Sequence, residues 1–169
     1  IVSLKYYKKK LELNEKDGLL KCSSNVTISE INDLIIPKGW FLNITPGSKF
    51  VSVGGAIAND VHGKNHHKDG SFSDYLDEFD IIKENGEIIS CSSKTNPELF
   101  YATCGGLGLT GIIINVKIKL LRIKSKNIDV KIVKTKNFEQ TIQKLNDLKD
   151  YKYLVAWTDT LNKKNKGRS

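Results

Sequence analysis

A Gly-Gly pair set in a run of small residues constrains this chain more than any other feature. Residues 45–67 read TPGSKFVSVGGAIANDVHGKNHH, with a Pro46-Gly47 turn ahead of Gly54 and Gly55 and a His62-Gly63 pair behind them. Glycines let backbone amides come close to a bulky anion that side chains would hold off. Ser52 can cap a short helix through residues 55–58, whose first turn would offer unpaired N–H groups and the positive end of a dipole. The guest this implies is a phosphate-bearing cofactor. The pattern is neither G-x-x-x-x-G-K-[ST] nor G-x-G-x-x-G, which sets aside a nucleoside-triphosphate loop and a Rossmann turn. A tight structural turn packed with small residues stays open as the alternative.

The elements around this stretch alternate without a regular βαβ repeat. Residues 1–4 have strand character, and residues 10–13 and 19–22 flank a loop ending on Gly18, a hairpin pattern. Thr27 and Glu30 form a capping-box signature, and Ile28, Ile31, Leu34 and Ile35 recur at helical spacing up to Pro37. Residues 39–44 lead a short strand into the glycine stretch, and KDGSFSDYLDEF after the His pair reads as loop. Residues 80–83 and 87–91 make a hairpin about Asn85-Gly86, with Ile81, Ile82, Ile88 and Ile89 expected in a core. Pro97 opens a short helix that the glycines from Gly105 end, and residues 112–123 alternate as a long β-branched strand with Lys117 and Lys119 on its wet side. This order predicts an α+β fold, a mixed or antiparallel sheet flanked by helices.

From Lys124 the chain becomes more polar. Strands are expected at 130–133 and 153–157, about a helix capped by Asn137 and carrying Phe138, Ile142, Leu145 and Leu148. Residues 1–123 and 124–169 therefore read as two units, the second incomplete. The start at Ile1 and the absence of Met suggest an excerpt of a longer chain.

Lys and Arg number 27 against 19 Asp and Glu, a net charge of +8 over 169 residues. Arg122 and Arg168 are the only arginines, and the lysines are scattered as on solvated strand faces, so nucleic acid is not the expected partner. No apolar run approaches the ~18 residues a membrane span needs. Cys22, Cys91 and Cys104 are odd in number and widely spaced, which fits a reducing compartment rather than a disulfide framework. Cys104, in ATCGG, reads as a buried small hydrophobe. His62, His66 and His67 offer H-x-x-x-H-H, but Gly63 and Asn65 disfavour helix and no carboxylate completes a ligand set, so no metal is expected.

VSVGGAIANDVHGKNHHKDGSFSDYLDEFDIIKENGEI (51–88) and NPELFYATCGGLGLTGIIINVKIKL (96–120) resemble the flavin-binding half of the vanillyl-alcohol-oxidase, or PCMH-type, flavoproteins. The similarity is dense over residues 45–123, and strongest to the members that oxidise lipid-linked pentoses. It implies FAD held without a covalent bond. Carried over position by position, Gly47, Ser52, Val53, Gly54 and Gly55 correspond to the pyrophosphate turn. Asn59, Asp60, Val61 and His62 run beside the flavin, and the backbone of Ile113 faces the adenine side. Ser52 stands where close relatives often carry Thr, and Asn59 replaces a smaller residue.

By the same resemblance His62 and Lys64 are the candidate catalytic groups, His62 donating to cofactor or substrate and Lys64 stabilising negative charge. His66 and His67 are expected to bond loop backbone. The glycines of 105–111 would let a second loop pack against the first. Residues 1–123 would be the second FAD-binding subdomain, lacking the N-terminal one, and 124–169 the opening of a substrate cap. The implied enzyme oxidises a secondary hydroxyl of a sugar or polyprenyl-phosphate sugar, a cell-wall polysaccharide precursor, with a partner reductase completing an epimerisation. It would be cytoplasmic, reaching the membrane through its lipid-linked substrate and without an integral span. An aldonolactone or alditol oxidase of the same fold is the alternative, and a non-catalytic binding fragment the alternative of another class.

Overall fold

The computed structural model describes residues 3–158. Six strands form one antiparallel sheet: β1 (Leu11–Asn14), β2 (Leu19–Ser23), β3 (Trp40–Leu42), β4 (Leu76–Ile82), β5 (Ile88–Cys91) and β6 (Ile112–Arg122). The order is β1-β2-β6-β4-β5, with β3 paired to the far end of β6. At eleven residues β6 is long enough to serve three neighbours, pairing β2 from Asn115 to Lys119, β4 along most of its length and β3 at Leu120 to Arg122. The β-branched run in the sequence thus becomes the spine of the sheet.

One face of the sheet carries Leu20, Cys22, Phe79, Ile81, Val116 and Ile118, all buried. Against it pack α1 (Ile28–Ile35), α2 (Val53–Ala58) and α4 (Pro97–Thr103), which contribute Ile28, Ile31 and Ile35, then Val53, Ala56 and Ile57, then Phe100. Phe79 and Phe100 stack with ring centroids 5.1 Å apart, tying β4 to α4. Alternate strand positions point the other way and are polar: Lys117 pairs with Glu78 at 2.7 Å, and Asp80 accepts from Asn115 at 3.0 Å. The period-2 alternation is what allows one wet and one dry face.

The capping box forms as read. Thr27 Oγ1 accepts from Glu30 N–H, and Glu30 accepts from the Thr27 amide at 2.8 Å and from Lys9 at 2.6 Å. These donors, Lys9 first, hold the Glu30 carboxyl down at about 2. Pro37 falls in a 3-10 turn (Ile36–Lys38) that Gly39 closes in the left-handed region.

Several expectations are corrected. KDGSFSDYLDEF is not all loop, because β4 begins at Leu76 where Phe79 and Leu76 can enter the core. In the β4–β5 hairpin only Gly86 has positive φ, at 83°. The Lys83 and Gly86 amides close a three-residue loop, and Ile88 ends 59% exposed rather than buried. Residues 3–4 form no strand, and residues 1–2 of that expectation lie outside the described residues.

Residues 130–133 and 153–157 form no strands either. Ile128, Val130 and Ile132 have the right alternation, but no strand edge lies beside them among the described residues, and each is more than 60% exposed. The helix between them does form, as α5 (Phe138–Asp147), with Asn137 accepting from Gln140 N–H at 2.9 Å. Among the described residues no helix is long and apolar enough to cross a membrane.

Candidate functional site

Ser52 caps α2 as the sequence implies, its hydroxyl accepting from the Gly55 amide at 3.2 Å. The expected free amides are not there. Val53 N–H donates to Val26 O at 2.8 Å, Gly54 to Ser24 O at 2.8 Å, and Ala56 to Ser52 O at 2.9 Å. The loop leaving β2 lies directly on the helix start and takes its orphan donors. A Cβ on Gly54 would meet Ser24 Cβ at 3.0 Å and Ser24 O at 3.3 Å, and one on Gly55 would meet Ser52 Oγ at 3.2 Å. Both glycines are therefore tightly packed within the chain, and the Val53 and Gly54 amides are engaged by the loop after β2.

Gly47 behaves differently. Among the described glycines it alone has neither a positive φ nor any atom within 4 Å of a built Cβ. Neither conformation nor packing asks for glycine there, whereas the close approach of a ligand would. The turn that carries it is fixed to the His62 segment, since a Cβ on Gly63 would lie 3.0 Å from Thr45 O.

The other end of α2 is capped by the second glycine loop. Gly105 N–H donates to Ile57 O at 3.0 Å and Leu107 N–H to Ala58 O at 2.8 Å, satisfying carbonyls at the helix end. The expected contact between the two loops is thus present and made by backbone. Leu107 holds a φ of 52° for it, with its side chain 69% exposed. Thr103 and Thr110 hydroxyls lie 2.9 Å apart and staple the loop to α4.

Between these two loops runs the segment 59–64. Asn59 is exposed and its amide returns to Gly55 O at 2.9 Å. Asp60, at φ 39°, accepts from Ser71 Oγ at 2.8 Å and Ser73 N–H at 2.9 Å, so its carboxylate positions the 71–73 loop. Val61 donates to Ala56 O and accepts from Phe72 N–H. His62 and Lys64 are exposed at the rim, and Lys64 has no ion pair among the described residues. Ile113 is buried, paired with Ile81 across β6 and β4.

A one-turn helix, α3 (His66–Asp69), follows Asn65, although Gly63 and Asn65 read against helix. Asn65, 1% exposed, makes it possible by donating to Asn43 O at 2.8 Å and Asp69 Oδ2 at 2.7 Å. The turn brings the His62 and His66 ring centroids within 5.1 Å. His66 Nδ1 lies 3.0 Å from Gly70 O, and His67 Nε2 lies 3.1 Å from Lys149 O and Tyr151 O, so both bond backbone as expected. No cluster of three His, Cys, Asp or Glu able to hold a metal occurs among the described residues. Cys104 is half-buried, and burial, with Asp60 and Cys91 nearby, pushes its thiol up to about 12.

Residues at 45–47, 59–64 and 105–107 thus share one rim, with Gly47 open and Lys64 exposed on the 59–64 run. The open turn at Gly47 and the 59–64 run leave room on that rim for the phosphate-bearing part of FAD. Sequence reasoning missed Ser24 and Asn65. Ser24 packs against Gly54, and its buried hydroxyl has no hydrogen-bond partner among the described residues. The only sequence signal for Asn65 is a lone amide between Lys64 and His66.

A wholly antiparallel sheet backed by short helices, with two glycine loops meeting across α2, is the architecture of a PCMH-type flavin-binding unit. The chain belongs to the FAD binding domain family, whose model matches residues 1–92. It is 32% identical over 148 residues to the decaprenylphosphoryl-β-D-ribose oxidase of Mycolicibacterium smegmatis, covering 86% of this chain and 32% of that one. It is 25% identical over 114 residues to the human Delta(24)-sterol reductase, covering 68% and 22%. With Arabidopsis thaliana cytokinin dehydrogenase 4 the identity is 42% over 71 residues, covering 42% and 14%. Among solved structures, 6-hydroxy-D-nicotine oxidase from Arthrobacter nicotinovorans superposes with a TM-score of 0.61 at 21% identity, over 67% of this chain and 25% of that one, and shows the fold. The chain spans about a third of the length of the ribose oxidase.

Proposed function

We propose that the protein is an FAD-dependent oxidoreductase acting on a secondary hydroxyl of a sugar, with a polyprenylphosphoryl pentose as substrate. One observation carries the choice of substrate. The 148-residue similarity to the ribose oxidase is longer than the 92-residue family match and longer than residues 1–123, so it runs on into the second unit, where substrate contacts would differ between relatives. The similarities to the sterol reductase and the cytokinin dehydrogenase are shorter, at 114 and 71 residues.

FAD, when bound, supplies the acceptor for the hydride. This chain's residues do the rest of what lies on the rim. Gly47 leaves room for the phosphates. The Lys64 ammonium attracts an anionic headgroup and stabilises negative charge on a substrate hydroxyl. The His62 imidazole, exposed beside it, can accept or donate a proton at the same hydroxyl. His62 forms no bond to the cofactor in this reading, so acid precipitation of flavin-loaded protein leaves the colour in solution. The protein would work in the cytoplasm on a lipid-linked substrate at the membrane surface, with a reductase partner completing an epimerisation.

The experiment is anaerobic mixing of the flavin-loaded protein, at the length of its relatives, with a short-chain polyprenylphosphoryl ribose or with an aldonolactone. Bleaching of the flavin by the ribose compound is expected. Bleaching by the aldonolactone alone moves the assignment to the other oxidases of this fold.

A further inference from the structure

The turn at α3 grips a strap from the second unit. Three successive carbonyls, those of Lys149, Asp150 and Tyr151, point at two cation-capable side chains. His67 Nε2 sits 3.1 Å from the first and third, and Lys68 Nζ donates to the second at 2.6 Å. Lys152 pairs with Asp69 at 3.4 Å, and the Leu154 amide donates to Lys64 O at 2.9 Å. These carbonyls follow directly on the C-terminus of α5, the negative end of its dipole, where cationic side chains are favoured. Asn65 anchors the grip from beneath through Asn43 O and Asp69.

We propose that His67 and Lys68 are positioning residues, holding the 149–154 strap so that it fixes the Lys64 backbone and leads the second unit onto the His62 face. This rests on the assignment of that face as the reacting one, because only then does the strap's placement bear on substrate. Each contact alone is weak and exposed, but five of them converge on five of the six strap residues. The strap has no strand or helix of its own to hold it. Its order therefore depends on the grip.

The test is amide hydrogen exchange on the 169-residue chain, comparing wild type with His67→Ala and His67→Gln. In His67→Ala the amides of 149–154, Leu154 above all, should exchange roughly ten-fold faster, the worth of one or two lost hydrogen bonds. The α2 amides should be unchanged. His67→Gln should restore protection, because its side-chain amide can donate to the same carbonyls. Exchange at 149–154 within two-fold of wild type in His67→Ala, acceleration spread equally over α2, or no rescue by Gln would each overturn the proposal. None of these outcomes involves FAD, so failure of the flavin assignment in a separate titration stays distinguishable.

Discussion

The Gly54 amide donates to the Ser24 carbonyl at 2.8 Å, and a Cβ built on Gly54 lies 3.0 Å from the Cβ of Ser24. That contact joins the loop after β2 to the start of α2. In an open helix Gly→Ala gains up to about 1 kcal/mol, but overpacking here costs about 1–3 kcal/mol. Gly54→Ala should therefore lower stability by about 1 kcal/mol in urea unfolding. The Ser24→Gly/Gly54→Ala double variant should recover most of it, and a purely additive cycle would contradict the contact.

Glu30 gives the pH dependence. Its folded pKa of about 2 is below its ordinary value of 4.5, with Lys9 and the Thr27 cap as donors. A depressed carboxyl stabilises the fold above its unfolded pKa and loses that contribution as pH falls through the folded one. Stability should therefore decline between about 4.5 and 2. The side chain is 41% exposed, so the effect is small and salt-sensitive. Thermal unfolding of Glu30→Gln across this window should show a flatter profile than wild type, and parallel profiles would contradict the assignment.

The cysteines should be inert. Burial pushes Cys22 and Cys104 up to about 12, and Cys91 is also raised by burial. Reaction with a disulfide reagent needs the thiolate, so in native protein at pH 8 labelling should be slow, becoming fast on adding denaturant. Rapid native labelling of Cys104 would show that the glycine loop at 105–111 opens readily.

The parts of this fold written locally were legible in the sequence. Thr27 with Glu30, Ser52, Asn137 and the alternation of 112–123 act through neighbours three or four residues away or through a simple period, and each forms as read. What was not legible depends on distant chain. Gly54 reads in the sequence as a point of approach to a ligand, and nothing there places Ser24 against it. The run 130–133 alternates like a strand, yet alternation supplies no partner edge. Gly63 and Asn65 argued against helix until Asn43 and Asp69 gave Asn65 its bonds. Resemblance pointed to the glycine stretch, but not to the packing of Gly54 on Ser24.

The most direct test of the flavin-site account is titration of the 169-residue chain with FAD, alongside Gly47→Val. The α2 amides are engaged within the chain, so the rim offers only part of the polar contacts a dinucleotide needs. Saturable but weak binding is expected, with Kd above about 10 μM. Gly47→Val, which crowds the open turn without touching the core, should keep the fold and weaken binding about ten-fold or more. Affinity of about a micromolar or tighter, or identical isotherms for wild type and Gly47→Val, would contradict the account.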